Sequence, residues 1–337
     1  MALRPNSGNG IPIVDIAPWF GGSPAARDAV CRTIGAACEN WGFFILAGHG
    51  IDPGMMRDVA DVSRAFFDSP VEEKRRSDAV NGRGYYRMEA KSLARTLGDS
   101  KAPGDLRESF RIGVEPSSDS PDTTAKEAAG HFAPNVWPNQ PSRMRRVWAS
   151  YFDACDRLAV ELMRICARAL DLPENWFDDK IDRATSNLVA QNYPKLDKPP
   201  VPGQIRNGAH TDFGTLTLLM AEDKPGGLQV MGTDGAWYDV KPIPGTYIVN
   251  LGDMMAQWTN DRWRSTLHRV VNPPLDAGEA ARRLSIAFFH TPNHDAVIDC
   301  VPSCVDADHP PKYEPILSGD HIAQKLRQVE SVTAAKT

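Results

Sequence analysis

The sequence predicts an α+β protein in which a helical N-terminal part packs on an all-β C-terminal core. Two observations carry this expectation. From Thr185 onward the chain turns to short runs of β-type residues divided by Gly and Pro, at 188–193, 215–220, 227–231, 246–251 and 284–289. Many short strands at near-regular spacing indicate a barrel or a sandwich. Ahead of them, apolar residues recur at helical spacing, most persistently over 143–170 with Trp148, Tyr151, Phe152, Leu158, Leu162 and Ile165.

The elements follow in order. Residues 11–16 are mostly β-branched and apolar and read as a short strand, with Pro12 fitting an edge position. The spacing of Val30, Ile34, Ala37 and Cys38 predicts a helix over 28–41. A strand over 42–46 is ended by Gly48-His49-Gly50, read as a turn, and a second helix runs over 53–67. Ser69-Pro70-Val71-Glu72-Glu73 opens a further short helix, with Ser69 as cap, Pro70 at the first helical position and Glu72 as capping-box partner. Residues 116–140, rich in Ser, Pro, Asp and Thr, read as a long surface loop. The chain thus divides into a helical and mixed region (1–142, with the loop near 116–141), a backing-helix region (143–184), a β core (185–295) and a C-terminal extension with a helix and a frayed tail (296–337).

Composition narrows the class. The 337 residues are 42% hydrophobic and 24% charged, ordinary for a globular protein, and the formal net charge is -5. An acidic chain lacks the electrostatic footprint of a nucleic-acid binder. No apolar run approaches the ~20 residues of a spanning helix. The six cysteines (31, 38, 155, 166, 300 and 304) include no Cys-x-x-Cys pair and read as reduced, buried thiols. The expectation is a cytoplasmic protein with neither nucleic-acid nor membrane partners; oligomeric state is not readable.

Within the β-rich half stands Ala209-His210-Thr211-Asp212-Phe213. In an extended segment residues two apart share a face, so His210 and Asp212 project together. Downstream, Ser265-Thr-Leu-His268 supplies a second imidazole. Two His and one carboxylate on one face of an octahedron leave positions open for substrate and O2 on a non-haem Fe(II). Zinc accepts the same set, so spacing alone does not choose.

The residues after His268 separate the two. Arg283 and Ser285 are two apart and share a strand face with Ala287 and Phe289, while Leu284, Ile286 and Phe288 take the other. An Arg fork beside a hydroxyl is a receptor for a carboxylate. So apolar a run does not leave that Arg in solvent unless its face lines a cavity.

These residues belong to a longer ordered series: Asn207-Gly-Ala-His210-Thr-Asp212-Phe-Gly, Gly226-Gly-Leu-Gln-Val, Asn250-Leu-Gly-Asp253, Trp258-Thr-Asn260-Asp-Arg-Trp-Arg-Ser265-Thr-Leu-His268-Arg-Val and Arg283-Leu-Ser285-Ile-Ala-Phe-Phe. The N-terminal part adds Ile11-Pro-Ile-Val-Asp15, Trp41-Gly-Phe-Phe, Gly48-His49-Gly50-Ile and Phe66-Phe-Asp-Ser-Pro70. From about Ile11 to Leu326 the chain resembles the isopenicillin N synthase-like branch of the Fe(II)/2-oxoglutarate dioxygenases. The resemblance implies a double-stranded β-helix, a distorted jelly roll, flanked by helices. It implies Fe(II) on His210, Asp212 and His268, with no catalytic residue beyond the metal centre. It implies 2-oxoglutarate as co-substrate, its distal carboxylate on Arg283 and Ser285. Tyr193 of Gln191-Asn192-Tyr193-Pro194 falls where the family often places a tyrosine on that carboxylate, although Asn192 departs from the common pattern.

The implied chemistry is oxidative decarboxylation to succinate and CO2, then hydrogen abstraction by a ferryl-oxo species that hydroxylates, desaturates or cyclises a small-molecule metabolite, with ascorbate as an activator. Phe213, Trp258, Phe289 and Arg111 are expected as pocket walls, and His290 and His294 as loop histidines. The stretches around 81–88, 110–141 and after His290 are expected to select the substrate, with Arg83, Arg87 and Arg111 as candidates to meet an acidic one. Two alternatives stay open at this level: a family member using O2 without 2-oxoglutarate, because such members keep the Arg-x-Ser pair, and a non-catalytic β-barrel holding a structural metal.

Overall fold

A computed structural model describes residues 4–5, 10–99, 101–115, 132–196 and 198–330. Most of the expected 116–140 loop therefore lies outside the described residues, and its described part, 132–140, contains no helix or strand.

Two facing sheets form the core, the double-stranded β-helix that the resemblance implied. The larger has nine strands in the order Arg4–Pro5, Pro12–Asp15, Phe43–Ala47, Tyr247–Leu251, Leu216–Ala221, Arg283–His290, Asn187–Tyr193, Glu108–Gly113 and Gly84–Tyr86. All neighbours are antiparallel except Pro12–Asp15 with Phe43–Ala47. The smaller runs Trp237–Asp239, Leu228–Met231, His268–Val270, Asn207–His210. Phe43, Ile45, Leu228, Val230 and Ile248 fill the space between the sheets.

Alternation along the strands divides the larger sheet's faces. Leu188, Ala190, Phe110, Ile112, Ile286 and Phe288 point outward into a second core built with the helices. The backing helix Met144–Ala169 packs there between Pro24–Asn40 and Pro53–Phe67. Its Trp148 Nε1 donates to Ser63 Oγ at 3.1 Å, and Tyr151 shares a 2.9 Å hydroxyl contact with Tyr247. Large apolar residues recurring on successive turns give this helix a continuous apolar stripe toward the sheet.

Three local expectations change. The first long helix starts at Pro24, four residues earlier than the apolar spacing suggested, because Ser23 Oγ accepts from Ala26 N at 3.3 Å with Pro24 at the first helical position. The short helix is Val71–Arg75, with Pro70 rather than Ser69 at its cap and no side-chain capping bond. Ser69 Oγ instead donates backward to Phe66 O, closing the preceding helix. The strand Glu108–Gly113 falls in a stretch for which no strand was expected.

The expected Gly48-His49-Gly50 turn is present: both glycines take positive φ, and the His49 ring bonds Gly245 O and Ile51 N. All six cysteines are free, five of them buried. Among the described residues no helix is long and apolar enough to cross a membrane.

Candidate active site

Cross-strand register assembles the candidate ligands. His210 ends the strand Asn207–His210, and His268, opening the antiparallel strand His268–Val270, sits directly opposite it. Their ring centroids are 4.2 Å apart. Asp212 lies two residues past His210, beyond the strand end, and its Oδ1 is 3.8 Å from the Nε2 of each imidazole. One ligand atom from each residue falls within 4.8 Å of the others, and all three residues are buried.

The surrounding bonds aim these atoms. His210 Nδ1 meets Gly208 O at 2.8 Å and His268 Nδ1 meets Thr266 O at 3.0 Å, in each case the carbonyl two residues earlier. A carbonyl only accepts, so Nδ1 carries the proton and each Nε2 presents its lone pair to the centre. Asp212 Oδ2 accepts from Thr217 Oγ1 at 2.6 Å and Asn250 Nδ2 at 2.7 Å, which leaves Oδ1 turned inward.

Burial first, and the neighbouring His268 second, push His210 down to about 3, so its imidazole is neutral. Burial acts to raise the Asp212 carboxyl, but His268, His210 and the two donated hydrogen bonds outweigh it and hold the carboxylate below its ordinary range. Two imidazole nitrogens and one carboxylate oxygen, converging in a buried spot with their outer atoms already satisfied, are the donor set of a divalent metal.

Asp253 ties three segments together behind this centre. It accepts from Thr211 Oγ1 at 3.2 Å and Ser265 Oγ at 2.6 Å, and pairs with Lys325 Nζ at 2.7 Å.

Beside the centre lies a cavity of about 560 Å³, within the range of small-molecule sites. His210, Asp212, Phe213, Phe289 and Arg111 line it, so three of the four expected pocket walls are there. Trp258 is the exception. It closes the helix Asp253–Trp258 and points into the outer core, its ring 4.9 Å from Phe177, because the helix turns its apolar side from the cavity. His290, expected in a loop, ends the strand Arg283–His290 fully buried, with Nδ1 2.6 Å from Thr215 Oγ1. Arg87 points to solvent and pairs with Asp78. Nothing in the sequence pointed to Arg107, Asn187 or Gln191 in the wall, or to Ile322, Ala323 and Leu326 roofing it from the helix Ser318–Glu330. Strand neighbours and a returning helix put them there; a single chain position carries no such signal.

Arg283 and Ser285 pair with Tyr193 and Gln191 on the adjacent strand. Arg283 is 1% exposed, its Nε donates to Glu222 O at 3.2 Å, and its Nη1 has no hydrogen-bond partner. Its guanidinium lies 5.4 Å from the Tyr193 ring, and Tyr193 OH donates to Gln191 Oε1 at 2.5 Å. A buried cation with a free donor beside a Ser and a Tyr hydroxyl fits a ligand carboxylate.

Known proteins bear on this arrangement. A profile described as 2OG-Fe(II) oxygenase superfamily matches residues 185–292. One described as non-haem dioxygenase in morphine synthesis N-terminal matches residues 11–140. The 2-oxoglutarate-Fe(II) type oxidoreductase hxnY of Emericella nidulans is 34% identical over 325 residues, covering 94% of this chain and 89% of that protein. A full-length Neurospora crassa protein, solved as a crystal structure in complex with alpha-KG, is 31% identical, with a TM-score of 0.81 over 97% of this chain and 99% of that one. A 2OG-Fe(II) oxygenase family protein from Caulobacter crescentus is 28% identical, with a TM-score of 0.82 over 95% and 99%. Together with the buried His-Asp-His cluster, these likenesses establish that the chain belongs to the 2OG-Fe(II) oxygenase superfamily, an oxidoreductase that works with Fe(II) and 2-oxoglutarate.

Proposed function

We propose that His210, Asp212 and His268 hold the iron, that Arg283, Ser285 and Tyr193 hold the distal carboxylate of 2-oxoglutarate, and that the cavity takes the small molecule that is oxidised. The observation that carries this is the convergence of the three inward-facing ligand atoms, joined on the larger sheet by a buried guanidinium with a free donor. When bound, Fe(II) and 2-oxoglutarate supply O2 activation, coupling decarboxylation to succinate and CO2 with oxidation of the substrate.

The chain's own residues do the rest. The carbonyls of Gly208 and Thr266 fix the tautomer of both imidazoles. A three-residue ligand set leaves positions open for co-substrate and oxygen. The helix Ser318–Glu330 roofs the cavity and limits water.

The test is succinate release by purified protein with Fe(II), ascorbate and a panel of small molecules. The expected result is substrate-dependent succinate, lost in His268→Ala. In Arg283→Gln the KM for 2-oxoglutarate rises by about 10- to 100-fold, the range set by charge-assisted hydrogen bonds. Substrate oxidation without any 2-oxoglutarate consumed would sink the co-substrate assignment.

A further inference from the structure

Tyr193 and Arg283 form the last rung of the ladder between the strands Asn187–Tyr193 and Arg283–His290. The ends of a ladder fray first. Two of the three groups proposed for the 2-oxoglutarate carboxylate therefore stand where a sheet holds its residues least firmly.

A residue outside the ladder closes that end. Arg206 comes one position ahead of the strand Asn207–His210, in the smaller sheet. Its Nη2 donates to Pro194 O at 3.2 Å and also to Ala281 O, on the residues one past Tyr193 and two before Arg283. One nitrogen thus bridges both strands just beyond the rung. Nη1 donates to Pro225 O at 3.3 Å, which ties in the turn after the strand Leu216–Ala221. The strand that ends in His210 is thereby fastened to the place where the carboxylate is held.

Arg206 also brings a charge. It is 0% exposed, and its guanidinium lies 5.6 Å from the centre of the Tyr193 ring, against 5.4 Å for that of Arg283. Two buried cations share one aromatic ring. Burial pushes Arg206 down to about 10; Tyr193 opposes this and Arg283 adds to it, so the side chain stays charged at neutral pH.

Stapling alone does not call for a cation here. A neutral amide also donates to carbonyls, and burying two like charges side by side costs folding energy. Arg206 Nε, moreover, is buried without a hydrogen-bond partner, so the fold leaves part of the fork unused. Such a cost is accounted for where both guanidiniums act on one bound anion.

We propose that Arg206 is a positioning residue of the co-substrate site, which locks the Tyr193–Arg283 rung and adds its charge beside it, so that the distal carboxylate of 2-oxoglutarate is bound tightly. This rests on the carboxylate assignment above. The test is calorimetric titration of the Fe(II)-loaded protein without oxygen, using 2-oxoglutarate and 2-oxopentanoate. The second has the same keto acid end and a methyl where the distal carboxylate would be. Arg206→Gln is expected to lower the preference for 2-oxoglutarate about tenfold, the scale of a charge-assisted hydrogen bond, while 2-oxopentanoate binds as it does to the parent. Arg206→Lys keeps the charge but not the fork, and a loss of preference of about threefold is expected. It carries the same test should the Gln variant not fold. The proposal is overturned if a folded variant keeps the parent's preference, or if both ligands weaken alike, as they would for a purely structural residue. A failure of the carboxylate assignment itself shows differently, as parent protein without the preference or as Arg283→Gln that retains it.

Discussion

Asp212 divides its two oxygens between roles, and the division is testable. Oδ2 is held by Thr217 and Asn250, which fixes where Oδ1 points. Asn250→Ala frees one side of the carboxylate without touching a proposed ligand, and is expected to weaken Fe(II) binding about 10- to 100-fold, as loss of an outer hydrogen bond does at metal centres. The Fe(II) concentration giving half-maximal activity measures it; an unchanged value would show that Thr217 alone suffices. Trp258 makes the opposite case. Fully buried against Phe177, it is expected to cost about 3–5 kcal/mol when changed to Ala, read by denaturant unfolding, while substrate KM stays put. The triad was legible because residue type, spacing and motif order agree on it. Trp258 was misplaced because a motif records that an aromatic is present, not which way its helix turns it.

Among the elements, the unexpected strand Glu108–Gly113 is the most instructive. Its first residue is a buried anion that pairs with Lys74 at 2.9 Å and accepts from Tyr85 OH at 2.5 Å and Asn192 Nδ2 at 2.8 Å. One carboxylate thereby joins a short helix, an edge strand and the sheet interior. Glu108→Ala leaves the buried Lys74 ammonium with the Phe67 carbonyl but no counter-ion, and a loss of about 3–5 kcal/mol is expected, measured as a lower urea midpoint with unchanged slope. A loss below about 1 kcal/mol would mean water reaches Lys74 and replaces the pair. The strand escaped notice because Glu108, Ser109 and Arg111 together read as polar loop, although Ser109 and Arg111 face the cavity and Glu108 a buried network on the other side. The runs at 188–193 and 284–289 were plain for the converse reason: one face of each joins a continuous apolar core.

At the scale of the whole molecule, pH acts through the buried His290, which burial pushes down to about 4. Its folded-state value lies below the unfolded one, so the unfolded chain takes the proton first. The stability it contributes is complete above about pH 6.5 and drains away as pH falls toward 4, by an amount on the order of a few kcal/mol. Denaturant melts across that window should show the decline, and His290→Asn should flatten it; an equal slope in the variant would assign the acid sensitivity elsewhere. The fold class was legible because each half keeps one periodicity over many residues. The charge of the cavity was not, since Arg83, the neighbours Arg107 and Arg111, and Arg327 come from three separate stretches that line one cavity only through the strand order and the helix that returns over the opening.

That returning helix has a consequence in time. Lys325, which joins Asp253 behind the metal centre, is made after His210, Asp212, His268 and Arg283. Protein chains begin to fold from the N-terminal side during synthesis. On the ribosome the proposed iron ligands and Arg283 can be made while the roof has yet to emerge. A partly made chain would therefore present that site as an open bowl, its roof the last part to be added.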